Sequence, residues 1–292
     1  MTPNLLIFGL GYSGRAIALA AAQAGFAVTV TSRTPQLEPA FAVVPFDAAQ
    51  AAIAGATHLV ATAAPDEAGD PVLARYASAI AAAPALRYIG YLSTTGVYGD
   101  RDGGWVDEDT EPNPQSPRAQ RRLAAEQAWR ALLCSDDEAA QSESGGVCLD
   151  IFRLAGIYGP GRSMFDDLRA GTARRVVKPG HLFGRIHRDD IAAGVLTAMQ
   201  LEPQPAVRIL NFTDDEPAPS ADVVVEAARL LGVPPPDPVP FARAFETMSP
   251  MARSFWAENR KISNAKTKAA LGLTWRYPSY REGLRAILAE DL

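Results

Sequence analysis

Short apolar runs, each bounded by glycine, proline or small polar residues, alternate through the first half of the chain with Ala-rich stretches at helical spacing. Residues 5–8 read as a strand, an Ala-rich helix runs from about Gly14 to Gln23 and stops at Gly25, and residues 25–31 give a second, β-branched strand. Residues 41–46 predict a third strand ending at Asp47, 48–54 a short helical link, and 57–62 a fourth strand. A helix follows over 70–83, ended near Pro84, and then a fifth strand over 86–92. Ser116 and Pro117 have the pattern of an N-cap and a first helical residue, opening a helix that continues to about Leu133. Residues 135–146 read as an acidic surface loop and 147–154 as a sixth strand. Alternation of this kind predicts an α/β fold of Rossmann type, a doubly wound parallel sheet.

Beyond Ala155 the segments shorten, proline becomes frequent and the alternation stops. We therefore expect a dinucleotide-binding domain over 1–155, with returns near 184–199 and 208–212, and a smaller α/β substrate domain over most of 156–292. The run 234–238 is a stiff turn, and helices over 264–271 and 279–288 close the sequence.

Gly9, Gly11 and Gly14 stand in the spacing G-x-G-x-x-G between the first strand and the first helix, with Tyr12 and Ser13 inside the motif. In that context the first glycine permits a tight turn, the second lets the backbone approach a pyrophosphate, and the third lets helix and strand pack closely. The phosphates then meet a helix N-terminus, where amides and dipole favour negative charge. An NAD-selective site places a carboxylate about 20 residues on, at the end of the second strand. This chain has Ser32 and Arg33 there, with Thr34 beyond. A guanidinium and a hydroxyl suit a 2′-phosphate, so the expected cofactor is NADP, with NAD the weaker option. Asp47 is a candidate acceptor for the adenine amino group or, alternatively, a helix N-cap.

A net charge of -5 gives no electrostatic case for nucleic acid or an anionic membrane. The N-terminal stretch lacks a basic segment before its apolar run, and residues 16–30 divide into helix and strand, so neither a signal peptide nor a membrane span is expected. Cys134 and Cys148 read as reduced, isolated thiols and the location as cytoplasmic. His58, His181 and His187 do not form a metal constellation. A homodimer is carried as an expectation without a sequence signature.

The motifs along the chain resemble those of the extended and atypical short-chain dehydrogenases/reductases, which include nucleotide-sugar epimerases and dehydratases. The resemblance covers almost the whole length. Thr62-Ala63-Ala64 is similar to the family's cofactor-lining segment after strand four, and the run 93–100, Ser-Thr-Thr-Gly-Val-Tyr-Gly-Asp, to its strand-five signature. In that signature the hydroxyl three residues before the Val is catalytic, which implies Thr94. The acidic loop 106–112, the run 152–161, the run 185–191 containing Ile-His-Arg-Asp-Asp, 211–215 and 261–264 also resemble family segments, in the family's order. His187 and Asp190 are implied to be structural, Asp190 as a helix cap.

The departure lies in the active-site helix. The family carries Tyr-x-x-x-Lys after Ser-Pro, whereas this chain has Arg118 and Arg122 at those positions, on one helical face. A guanidinium stays protonated, so Arg118 cannot shuttle a proton as a tyrosine does, while Arg122 can keep a ribose contact. Three readings stay open. Tyr98, Tyr158, Asp107 or Glu108 supplies acid–base chemistry with Thr94 polarising a substrate oxygen, or the protein is a non-catalytic NADP-binding sensor or regulator, or the alignment is shifted. The paired arginines suit an anionic small-molecule substrate or, alternatively, pair with the acidic loop. Arg162, Ser163, Arg174 and Arg175 are candidates for contact with substrate phosphates but read more simply as a solvated basic turn, and Trp105, Trp256 and Trp275 read as packing groups, with Phe165 and Trp256 candidate pocket walls.

Overall fold

The computed structural model describes residues 2–34, 37–133, 146–201 and 206–291. In chain order the strands and first helices are β1 (Asn4–Phe8), α1 (Tyr12–Gln23), β2 (Ala27–Ser32), β3 (Ala42–Pro45), α2 (Gln50–Gly55), β4 (His58–Ala61), α3 (Pro71–Ala81), β5 (Tyr88–Thr94), β6 (Trp105–Val106) and α4 (Pro117–Leu133). There follow β7 (Cys148–Leu154), β8 (Gly156–Tyr158), β9 (Arg175–Val177), β10 (Arg185–His187), β11 (Val207–Phe212), β12 (Pro238–Pro240) and β13 (Lys261–Ile262). Cys134 and most of the expected acidic loop lie outside the described residues.

A seven-stranded sheet has the order β11-β7-β5-β4-β1-β2-β3, and the pairings from β3 across to β5 are all parallel. Its strands are apolar on both faces, as helices covering both faces require: Leu5, Leu6, Ile7 and Phe8 of β1 are each almost fully buried. The order reverses between β1 and β4, the switch point at which ligands of open α/β sheets bind outside the strands' carboxyl ends. Under one face a core gathers Leu6, Phe8, Leu59, Tyr76, Tyr91 and Trp129. Asp70 caps α3 by accepting the Val72 and Leu73 amides, and the chain leaves α1, just past its C-cap Ala24, through Gly25, whose φ of 88° suits glycine.

The chain divides into two compact units. The first comprises Met1–Thr94, Pro117–Arg153 and Ile191–Leu210, and the second Thr95–Ser116, Leu154–Asp190 and Asn211–Leu292. Residues 95–116, inside the stretch expected in the first domain, cluster with the second unit for a visible reason. The Arg101 and Gly103 amides donate to the Asn259 carbonyl, and β6 pairs in parallel with β13. The second unit has its own core of Phe165, Val223, Ala227, Tyr280, Leu284 and Ile287, and two further small parallel pairs, β8 with β10 and β9 with β12. Phe165 is a core residue with no exposed surface, not a pocket wall. Trp105 corrects the packing expectation in the other direction: it is 60% exposed, with the Lys261 ammonium over its ring. Among the described residues no helix is long and apolar enough to cross a membrane.

Candidate functional site

The glycine turn is built tightly around one hydroxyl. Thr62, the first residue after β4, donates its Oγ1 to the carbonyls of Phe8 (3.0 Å) and Gly9 (3.1 Å), and its amide also donates to Phe8 (2.9 Å). These bonds tie the ends of β1 and β4 together at the switch point. Gly9 has a φ of 115°, and a Cβ there would lie 2.5 Å from Thr62 Oγ1. A Cβ on Gly14 would lie 2.1 Å from the Gly9 carbonyl oxygen, which is the close helix–strand approach the third glycine is needed for. Gly11 is different: nothing lies within 4 Å of a Cβ built on it. It is the N-cap of α1, where no side chain caps the helix and no acidic residue enters the first turn. Open space over an uncapped, unopposed helix N-terminus is what an anionic group requires. Ser13 is buried, Tyr12 and Ala63 half-buried, and Ala64 exposed. A dinucleotide therefore fits these residues.

At the end of β2, Ser32 Oγ accepts the Thr34 amide (3.2 Å) and donates to the Thr34 carbonyl (2.8 Å), which closes a local turn. Arg33 is exposed and its side chain has no ion-pair or hydrogen-bond partner among the described residues. The one acidic residue of this region, Glu38, binds Arg15 through both oxygens at 3.0 and 3.2 Å. Asp47 is no helix cap: the N-cap of α2 is Ala49, with no side-chain cap, and the Asp47 carboxylate is exposed 3.3 Å from Arg75.

Thr94 ends β5 at its carboxyl edge and is half-buried. Its neighbour Ser93 is buried and donates to Glu126 of α4 (2.5 Å), which pairs with Arg153 of β7 at 2.7 and 3.2 Å, both charges 1% exposed. Arg118 and Arg122 separate on the same helix. Arg118 is exposed in the first turn of α4. Arg122 is buried, donating to the Leu92 carbonyl (2.6 Å) and the Tyr91 hydroxyl (3.3 Å) with its guanidinium over the Tyr91 ring. The sequence reasoning missed this inward arrangement. Its signal is the buried stripe Ala119, Arg122, Ala125, Glu126 and Trp129, which is the i, i+3, i+4 face of the helix.

The acid–base candidates of the second unit are each occupied within it. Tyr98 is fully buried and donates to Asn211 Oδ1 (2.8 Å). Glu108 accepts from Thr267 Oγ1 (2.7 Å), and Asp107 pairs with Lys266 (2.9 Å), which holds its carboxyl below the usual range. Tyr158 donates to the Ser279 carbonyl (3.3 Å) and packs against His187, and burial pushes its phenol well up. Asp190 does not cap its helix as expected: its two oxygens accept the Arg276 and Tyr277 amides (2.8 and 3.0 Å), tying the C-terminal segment to the start of the helix Arg188–Gln200. Ser163 and Asp166 form the capping box of the helix Met164–Arg169. His181 lies in an aromatic cluster with Phe183 and Trp256, and Trp275 packs on Phe212. Among the described residues no group of His, Cys, Asp and Glu could hold a metal.

No family model matches the chain. Over 173 residues it is 31% identical to a Streptomyces protein named 3-diazoavenalumate denitrifying reductase, a match covering 55% of this chain and 54% of that protein. The chain thus spans about half the length of the curated relative it matches. A conserved protein of unknown function from Silicibacter pomeroyi DSS shares 42% identity over 99% of both chains, with a TM-score of 0.87. A protein assigned as an NAD-dependent epimerase/dehydratase from Methylobacillus flagellatus shares 27% identity over 100% of this chain and 99% of its own, with a TM-score of 0.71. The fold extends to the human epimerase family protein SDR39U1 with NADPH (19% identity, 99% and 100% coverage, TM-score 0.77). It extends equally to MoeE5 in complex with UDP-glucuronic acid and NAD (19%, 99% and 100%, TM-score 0.78).

Proposed function

Because the chain belongs to the extended short-chain dehydrogenase/reductase family, we propose that it is a nicotinamide-dependent oxidoreductase or epimerase that takes NADP in preference to NAD and acts on an anionic nucleotide-sugar or similar carbonyl compound. The observation that carries this reading is the Thr62 bridge at the switch point beside the open N-terminus of α1. The α1 amides receive the pyrophosphate, and Ser32 and Arg33 receive the 2′-phosphate. When bound, the dinucleotide supplies or accepts a hydride. Thr94, at the carboxyl edge of β5, hydrogen-bonds the reacting substrate oxygen, and Arg118 attracts the substrate's negative charge. NADPH in the human relative and a UDP-sugar in MoeE5 support this choice of ligands by fold alone.

One observation favours a second reading. Arg118 stands where the proton-transferring tyrosine is expected, and Arg122 is bound to Leu92 and Tyr91. A protein that binds NADP without turnover, as a sensor or regulator, needs neither residue as a proton shuttle. Similarity to a named reductase supports the catalytic reading over this one. An electron-poor acceptor that requires no proton from the protein suits arginine at 118 better than a ketone does.

The test is a fluorescence titration with NADPH and NADH on wild type and Arg33→Asp, followed by nicotinamide absorbance with nucleotide sugars, aldehydes and electron-poor aromatic acids. Oxidation of NADPH with any of them establishes the enzyme, and Thr94→Ala then lowers kcat by about a hundredfold. Tight NADPH binding without turnover leaves the sensor reading. Failure to bind either dinucleotide overturns both.

A further inference from the structure

We propose that Arg15 and Glu38 form a latch that sets cofactor choice: Arg15 is a second binding group for the 2′-phosphate, and Glu38 holds it until that phosphate arrives. The inference rests on the cofactor site proposed above. Three charged residues occur among the first 46, Arg15, Arg33 and Glu38, and they are the charges that the sequence places beside the ends of β1 and β2. Arg15 follows Gly14 in the first turn of α1, and Glu38 lies in the segment leaving the end of β2, five residues beyond Arg33.

The pair has the parallel two-bond fork of guanidinium on carboxylate, Nε to Oε1 at 3.0 Å and Nη2 to Oε2 at 3.2 Å. That fork fits a phosphate equally well, and a phosphate dianion offers more charge and more acceptor oxygens than a carboxylate. The Arg15 side chain is 52% exposed while that of Glu38 is 9% exposed. The guanidinium is thus reachable from solvent while the carboxylate is covered behind it.

What ties the segment down also indicates that the pair can exchange. Among the described residues after the Ser32–Thr34 turn, Leu37 is fully exposed and the next buried apolar side chain is Phe41. No buried apolar side chain therefore anchors residues 37–40, and an ion pair with one partner half in solvent is weak. With the latch closed, Glu38 neutralises one of two arginines and presents a net single positive charge. With the 2′-phosphate on Arg15, both arginines face it and Glu38 moves to solvent. NADH, which lacks that phosphate, gains nothing from opening it.

The experiment measures dissociation constants for NADPH and NADH by nicotinamide fluorescence on wild type, Glu38→Gln and Arg15→Gln, with thermal midpoints as a check that each variant folds. Glu38→Gln is expected to tighten NADPH by roughly threefold to tenfold and Arg15→Gln to weaken it by about tenfold, with NADH moved by less than about twofold in both. Weaker NADH binding in Glu38→Gln would show Glu38 to be a ribose-hydroxyl acceptor and overturn the latch. An unchanged NADPH to NADH ratio in both variants also overturns it, while leaving the cofactor site standing. A wild-type protein that binds neither dinucleotide overturns the site itself and the latch with it.

Discussion

Gly11 and Gly14 lie three residues apart, and the structure gives them separable tasks. Gly14 cannot carry a Cβ without moving the backbone, since the clash at 2.1 Å is with the Gly9 carbonyl. Gly14→Ala is therefore expected to cost at least about 2 kcal/mol in urea unfolding. Gly11 has a φ of -90°, open to any residue, and free space around its Cβ position. Gly11→Ala should lose less than about 1 kcal/mol, the cost of a poorer N-cap, yet weaken NADPH binding by tenfold or more, on the order of the loss when a backbone approach is blocked. A parallel loss of stability and affinity in both variants would remove the distinction. The spacing alone predicts the three glycines' tasks, but the Thr62 hydroxyl that fixes the turn is invisible in it, because Thr62 meets Phe8 and Gly9 across more than 50 residues of chain.

Helix α4 shows what sequence patterning carries and where it misleads. Its limits are readable from Ser116, Pro117 and the run to Leu133, and so is the parallel sheet beneath it, because continuous apolar strands between helices have few other ways to be buried. Its charges are not. Glu126 and Arg122 sit on the same stripe as Ala119, Ala125 and Trp129, and a sequence reader assigns charged residues to solvent by default. The structure instead clamps α4 to the sheet through Ser93, Glu126 and Arg153, and through Arg122 on Leu92. Glu126→Ala would take the carboxylate away from the Arg153 guanidinium at 1% exposure, and we expect a loss of about 3–5 kcal/mol by urea unfolding. Replacing Glu126 and Arg153 together by methionine should restore most of that loss, since no charge is then left unpaired. A single variant that loses under about 1 kcal/mol would show that the pair is not desolvated. Trp105 is the converse case: its size suggests a core residue, but it stands on a two-residue strand that offers no second layer to cover it.

At the scale of the molecule, the three histidines couple both units to pH. His58, in the first unit, is pushed down to about 4 by burial and by the nearby Arg87 cation. His181 and His187, in the second, are each pushed down to about 4, chiefly by burial, with Lys178 adding to the effect at His181 and Arg188 and Arg276 at His187. Asp189 acts in the opposite sense on His187 without reversing it. Unfolded histidine titrates near about 6.5, so between that value and 4 the unfolded chain binds more protons than the native one. Stability from each neutral histidine is therefore complete above pH 6.5 and is lost as the pH falls toward 4. Buried Asp70 and Asp214, whose carboxyls desolvation pushes up, work the other way, because protonation relieves them on acidification. A single stability curve mixes the two, so the informative quantity is the difference between wild type and a histidine variant. His58 lies between Phe26 and Tyr88, with Thr57 Oγ1 2.9 Å from its Nδ1, and His58→Gln keeps a polar group for that contact. Measured by urea unfolding, its deficit relative to wild type should be largest at pH 7.5 and shrink by about 2 kcal/mol by pH 4.5. A deficit that stays constant across that range would show that His58 does not titrate between the folded and unfolded states as its surroundings require.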